Sequence, residues 1–281
     1  MDPKAIAVST IAALERGHYT APDGTVVDIA ASRDACVSAT RAYLPEELAA
    51  VREHVSQTSS EPLATTFAVV NETTLNGCAR LVTDQRYQRV GALNFASAKN
   101  PGGGFLNGAR AQEESLARSS GLYPSLRACP EHYAAHRALE TCLYSDRMIY
   151  SPACPIFRDD QGGWLPQPYM VDFITSPAPN AGVVMRNEPE HRTLITPTLA
   201  ERARKVLALA LHHGCDALVL GAWGCGVFQN DPATVAGIFH DLLQPSGIYA
   251  GRFRHVLFAV YDTAKDKATY SAFALQFAAM I

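Results

Sequence analysis

The chain has 281 residues, 48% of them hydrophobic, and 24 Lys and Arg against 27 Asp and Glu for a formal charge of −3. That suffices for one large core or two small ones, and it excludes both a disordered chain and a broad basic surface that would gather nucleic acid nonspecifically. Any anionic ligand must therefore be held by a local device.

The first segment reads as a helix: Asp2 caps it, Pro3 takes a first-turn position, Ile6, Ala7, Ile11 and Leu14 form an apolar stripe, and Gly17 closes it. A short strand over 25–29, helical segments over 32–43 and 45–55, and a connector over 59–62 follow. Residues 1–62 are expected to form an accessory helical region packed on a main fold of 63–281, the two making one continuous globular unit. From residue 65 short apolar runs alternate with helical ones, the pattern of parallel strands joined by crossover helices. Strands are predicted at 66–70, 90–95, 148–150, 169–175, 217–221 and 256–261, with a hairpin turn at 158–164 around Gly162 and Gly163. Leu199, Ala203, Val206, Leu207, Ala210 and Leu211 repeat at helical spacing up to Gly214. A second helix begins at Asp231 and Pro232 and runs to Leu243.

No apolar run approaches the roughly 18 residues of a membrane helix. The start, Met1-Asp2-Pro3-Lys4, lacks the pattern of a secretion signal, so a cytoplasmic location with no membrane partner is expected. The seven cysteines are scattered without a C-x-x-C pair, which predicts buried thiols rather than a disulfide framework or zinc site. His132 and His136 are spaced for one helix face but lack an obvious third ligand, so neither metal nor cofactor is expected. No heptad pattern stands out, and a monomer is predicted.

Chemistry concentrates in two loops. Asn94-Phe95-Ala96-Ser97-Ala98-Lys99-Asn100-Pro101-Gly102-Gly103-Gly104-Phe105 leaves one strand and leads to a helix near Gln112. Leu218-Val219-Leu220-Gly221-Ala222-Trp223-Gly224-Cys225-Gly226-Val227-Phe228-Gln229-Asn230 leaves another strand and leads to the helix at Asp231. Glycine admits positive φ and close approach of a ligand to main-chain N–H groups, so two such loops facing one cleft suit a diphosphate. Neither is a P-loop or a G-x-G-x-x-G dinucleotide loop, which disfavours ATP hydrolysis and hydride transfer. Gln112-Glu113-Glu114 follows the first loop, where a carboxylate can serve as acid on a glycosidic oxygen. Adjacent helical residues point about 100° apart, so the two glutamates are expected to aim differently.

Asn100-Pro101-Gly102-Gly103-Gly104, then Gln112-Glu113-Glu114, resembles the signature of poly(ADP-ribose) glycohydrolases, and Gly224-Cys225-Gly226-Val227-Phe228-x-Asn230 resembles their bacterial form. The resemblance implies a macrodomain-like mixed α/β sheet flanked by helices on both faces, with an N-terminal helical extension. It implies hydrolysis of ribose–ribose bonds of poly(ADP-ribose), with ADP-ribosylated proteins as substrates, ADP-ribose as product and no direct DNA binding. Glu114 is implied to protonate the 2′-oxygen leaving group and then activate water, and Glu113 to hydrogen-bond the ribose hydroxyls. Gln112 supports the site. Gly103, Gly104 and the backbone of Gly224, Cys225 and Gly226 would hold the diphosphate, Gly102 and Val227 would also border the substrate, Asn100 would touch ribose, and Phe228 would pack on the terminal unit. Such an acid needs a pKa raised by burial or by phosphate charge. Asp28 and Asp262 are candidates for a second carboxylate, and Asp28 also for an adenine contact. The alternatives are an ADP-ribose-binding macrodomain without activity, a mono-ADP-ribosyl hydrolase acting on protein or nucleic acid, and a hydrolase built on Cys225.

Overall fold

The computed structural model describes residues 2–58, 61–84 and 86–281, so the connector expected at 59–62 lies partly outside the described residues. Helix α1 (Pro3–Arg16) starts where the Asp2 carboxylate accepts from the N–H groups of Lys4 and Ala5, and it stops at Gly17 with φ 78°. Its Ile6, Ala7 and Leu14 are buried, as the stripe requires. Strands β1 (His18–Thr20) and β2 (Val26–Asp28) form an antiparallel pair. Helix α2 (Ala30–Ala39) stops four residues short of the end of the helical segment expected over 32–43. Instead, Thr40 extends to ψ 136° and β3 (Arg41–Tyr43) joins the edge of a large sheet. Helix α3 (Pro45–Gln57) follows.

The sheet's centre comes from β4 (Thr66–Val70), α4 (Thr74–Thr83) and β5 (Val90–Phe95), then α5 (Gln112–Ser119), α6 (Leu122–Arg127) and α7 (Pro130–Arg137). Strands β6 (Met148–Arg158) and β7 (Trp164–Ser176) are far longer than predicted, because they pair antiparallel with each other out to Arg158 opposite Trp164. Gly162, at φ 83°, makes the turn between them. Helices α8 (Ala181–Asn187) and α9 (Ile195–His212) lead to β8 (Ala217–Leu220), and α10 (Pro232–Leu243), β9 (His255–Ala259) and α11 (Ala268–Phe277) complete the chain. Asp231 caps α10 by accepting from the Thr234 N–H at 2.8 Å.

The seven strands lie in the order β3-β6-β7-β5-β8-β9-β4. Because β3 and β7 both pair antiparallel with β6 and every other contact is parallel, β6 alone runs against the rest. Alternate strand residues feed two cores: Leu93, Leu218 and Phe258 face α9, α10 and α11, whereas Ala92, Val219 and Leu257 face α4, α5 and α6. Tyr43, Leu48 and Val55 share the first of these cores with Leu199 and Phe239, so residues on both sides of position 62 pack into one interior. Among the described residues, no helix is long and apolar enough to cross a membrane.

Candidate active site

Strands β5 and β8 are parallel neighbours, so the loops leaving their carboxyl ends emerge side by side, where open α/β sheets bind ligands. Both loops and the first turn of α5 line one cleft of about 1450 Å³. A smaller pocket of about 370 Å³, lined by His54, His212 and Asp216, lies toward the opposite end of β8.

The first loop is built around the two glutamates. Asn94, buried at the end of β5, donates from Nδ2 to Glu113 Oε1 at 3.2 Å and to Thr175 Oγ1 at 3.1 Å. The Ser97 N–H donates to Glu113 Oε2 at 2.7 Å. Glu113 is only 2% exposed. Burial pushes its carboxyl up to about 8, against the pull of the N–H donors and with the charge of Glu114 adding to the rise. Glu114 is half-buried and accepts from the Gly104 N–H at 2.9 Å.

Both carboxylates converge on Gly103: a Cβ there would lie 2.2 Å from Glu114 Oε1 and 3.2 Å from Glu113 Oε2. The divergence expected of adjacent helical residues is overridden because both side chains sit in the first turn and bend back to N–H groups of the preceding loop. The same bonds change the expected job of this loop. Gly104 N–H is committed to Glu114, and Gly103 N–H, at φ 58°, to the Asn100 carbonyl at 3.1 Å. Gly102 does not line the cleft; it is buried, and a Cβ there would meet the Phe105 ring at 3.0 Å.

Gln112 clamps α5 to the sheet. Its Oε1 accepts from Phe95 N–H at 2.8 Å, and its Nε2 donates to Leu93 carbonyl at 2.7 Å and Thr74 Oγ1 at 3.1 Å. Those bonds occupy the amide and make Gln112 a brace. Asn100 is exposed at the cleft rim.

The second loop has the complementary pattern. Trp223, Cys225, Gln229 and Asn230 donate their N–H groups within the loop, to Gly221, Ala222, Gly226 and Gly224. The N–H groups of Gly224, Gly226, Val227 and Phe228 find no protein acceptor among the described residues. Gly224 takes φ 72°, and a Cβ on it would lie 2.6 Å from Ala178 and from Asn230 Nδ2; around Gly226 there is open space. Asn230 fixes the loop from behind, donating from Nδ2 to the carbonyls of Pro179 at 2.8 Å and Gly224 at 3.1 Å. Phe228 and the exposed Val227 border the cleft.

Other candidates fall elsewhere. The Cys225 thiol is pushed up to about 12 by burial and sits 3.8 Å from the Trp223 carbonyl, so it stays protonated and unreactive. Asp28 is exposed, accepts from Ala30 N–H at 2.9 Å and does not line the cleft. Asp262 does line it, but its carboxylate accepts from the N–H groups of Ala264, Thr269 and Tyr270, which hold it below the usual carboxylate range. His132 and His136 lie in the interior with rings 4.6 Å apart, and burial pushes His132 down to about 3. Among the described residues, no three His, Cys, Asp or Glu side chains group as metal ligands.

The family model of the microbial-type poly(ADP-ribose) glycohydrolase (PARG) catalytic domain matches residues 7–159, just over half of the chain. The chain belongs to this family. A crystal structure of poly(ADP-ribose) glycohydrolase from Thermomonospora curvata is 52% identical, with TM-score 0.92 and coverage of 98% of this chain and 99% of that one. The same enzyme bound to the inhibitor ADP-HPD gives 52% identity and TM-score 0.90, with the same coverage. A Deinococcus radiodurans poly(ADP-ribose) glycohydrolase in complex with ADP-ribose is 46% identical, with TM-score 0.83 over 89% of this chain and 98% of that one. No curated protein sequence matches. As a poly(ADP-ribose) glycohydrolase the chain is a glycoside hydrolase, and its mixed seven-stranded sheet with helices on both faces is the fold of these relatives.

Asn94, the Ser97 N–H and Asn230 escape a reading by motif. Asn94 did leave a trace, as the one polar residue interrupting the apolar run Val90-Gly91-Ala92-Leu93-Asn94-Phe95.

Proposed function

We propose that the cleft seats the terminal ADP-ribose unit of a poly(ADP-ribose) chain and that Glu114 cleaves the ribose–ribose bond joining it to the next unit. The observation that carries this reading is the convergence of two carboxylates on Gly103, in a cleft whose other wall offers four N–H groups with no protein acceptor among the described residues. Those N–H groups, rather than Gly103 and Gly104, hold the diphosphate, since a backbone nest binds an anion without lysines. Phe228 packs on the unit so held, and Asn100 at the rim meets a ribose.

Glu114 is the acid because it alone of the pair reaches the cleft only half-buried, with one oxygen held by Gly104 and the other free of hydrogen bonds among the described residues. It protonates the 2′-oxygen of the departing unit as the glycosidic bond breaks. The ribose passes through an oxocarbenium-like state, and Glu114, now a carboxylate, takes a proton from the attacking water. Glu113, held on both oxygens, positions the ribose hydroxyls rather than attacking carbon. The seven free thiols support a cytoplasmic enzyme.

The test is incubation of the protein and its Glu114→Ala variant with poly(ADP-ribose)-modified protein, following released ADP-ribose by chromatography. Release by the parent alone is expected. No release with retained ADP-ribose binding would make the protein a binding module, and activity restricted to mono-ADP-ribosylated protein would make it a mono-ADP-ribosyl hydrolase.

A further inference from the structure

Among the described residues four Arg and Lys side chains are buried: Arg118, Arg158, Arg202 and Lys205. Burying a charge is costly unless it is neutralised or fully hydrogen-bonded. Arg202 and Lys205 share Asp146, at 3.0 and 2.5 Å. Arg158 donates to Thr10, Gly162 and Ser9 and lies 3.2 Å over the Trp164 ring. Arg118 is different. At 7% exposure, its guanidinium donates only to the Ala109 carbonyl at 2.5 Å and to Ser115 Oγ at 3.3 Å. Among the described residues it has neither a carboxylate within ion-pair distance nor an aromatic ring beneath it, and of the four buried cations it alone lines the cleft.

A guanidinium carries five N–H donors, so the two bonds leave others unused. Burial works against the Arg118 charge, the Glu114 carboxylate one turn back on α5 favours it, and Arg110, exposed and also on the cleft wall, opposes it. Two cations on one cleft wall, one of them buried with donors unspent and with Glu114 acting on it from beyond ion-pair distance, suit an anion that arrives with the ligand. They flank Glu114 from the α5 side, where Pro3 and Ile6 of α1 also wall the cleft, whereas the free N–H groups approach from β8. Resting on the function proposed above, the bond to be cut then has its terminal unit toward β8 and its departing unit toward Arg110 and Arg118.

We infer that Arg118 and Arg110 form a second phosphate subsite, which binds the diphosphate of the penultimate ADP-ribose unit and so favours polymer over a free terminal unit. Guanidinium groups suit this task, because their planar forks match phosphate oxygens.

The experiment compares Arg110→Gln, Arg118→Gln and Arg118→Lys with the parent in steady-state cleavage of long poly(ADP-ribose) at low and moderate salt. Calorimetry measures ADP-ribose binding in parallel. For the glutamine variants, KM for polymer is expected to rise about tenfold at Arg118 and severalfold at Arg110. Salt dependence should become shallower, and affinity for free ADP-ribose should be unchanged. Arg118→Lys keeps the charge without the fork and falls between. A parallel loss of ADP-ribose affinity would place the cations at the terminal unit and overturn the subsite. A fall in kcat at constant KM, with a shifted pH profile, would overturn it in favour of an effect on Glu114 alone. Arg110 is exposed, so Arg110→Gln folds even if the Arg118 variants do not, and an unchanged KM for that variant also refutes the subsite. An inactive parent would instead refute the glycohydrolase reading on which it rests.

Discussion

The two glycine-rich loops leave neighbouring parallel strands and look alike in sequence, yet they spend their main-chain N–H groups in opposite ways. In the first, Ser97 and Gly104 donate to the side chains of Glu113 and Glu114, and Gly103 closes a turn on Asn100. In the second, Gly224, Gly226, Val227 and Phe228 keep theirs unspent among the described residues. Glycine is needed in the first loop so that two carboxylates can press against Gly103, and in the second so that a ligand can approach the backbone. On the function proposed above, one loop builds an acid pair and the other an anion seat.

The sharpest way to break this division is to remove the acid. Glu114→Gln keeps the size and the contact with Gly104 but not the proton, so turnover of poly(ADP-ribose) should fall by roughly 10² to 10⁴ while ADP-ribose affinity holds. Equal turnover would remove Glu114 from the chemistry. The next test exchanges the loops' roles. In Gly103→Ala the new methyl strikes Glu114 Oε1 at 2.2 Å, in a backbone at φ 58° that alanine tolerates poorly. Displacing a reacting group by such amounts costs about 10² in rate, so kcat should drop with little change in ADP-ribose affinity. Gly226→Val has no protein neighbour to strike, and its side chain fills the cleft instead; affinity should weaken by about tenfold. If both variants lose affinity alike in calorimetry, the two loops do the same work.

The acid pair also predicts a pH dependence of stability that the anion seat lacks. Glu113 rises from 4.5 to about 8 on folding, chiefly through burial. Between those values the folded state binds the proton and the unfolded state does not, so stability is full below about 4.5 and declines as pH climbs through 8. The decline should be on the order of a few kcal/mol. Glu113→Gln, which cannot ionise, should flatten it; urea denaturation at pH 5 and pH 8.5 reads the difference, and an identical slope in both proteins would mean that Glu113 is ionised at neutral pH despite its burial.

Much of the scaffold was legible because local rules decide it. Asp2 with Pro3 and Asp231 with Pro232 announce helix starts, and the apolar run at 90–95 followed by glycines announces a strand feeding a loop. Strand β3 was not, since three residues gain strand geometry only from pairing with β6. The reach of β6 and β7 was hidden by Pro152, Pro155, Pro166 and Pro168, which interrupt the alternation that marks a strand. In the site, residue types and their order gave the candidates. What they could not give was which N–H groups are already taken, because Gly104 to Glu114 and Asn94 to Glu113 are tertiary bonds with no periodic trace.

The smallest expected effect bears on how the anion seat is kept open. Asn230 donates to the carbonyls of Pro179 and Gly224, holding the loop so that Gly224 and its successors turn their N–H groups away from the protein. Asn230→Ala removes the amide from a buried position and leaves the Pro179 carbonyl unpaired, while Gly224 keeps the Asn230 main-chain N–H, at a cost of about 1–3 kcal/mol in stability. ADP-ribose affinity should fall only about threefold, because the remaining loop bonds, Gln229 to Gly226 and Cys225 to Ala222, survive. Asn230→Asp should do worse than alanine, since a carboxylate facing two carbonyls repels them and spreads the loop. In both variants kcat at saturating polymer should match the parent, as Glu114 and Gly104 are untouched. A loss of kcat with affinity intact would instead join the second loop to the acid pair, and the contrast between the two loops would fail.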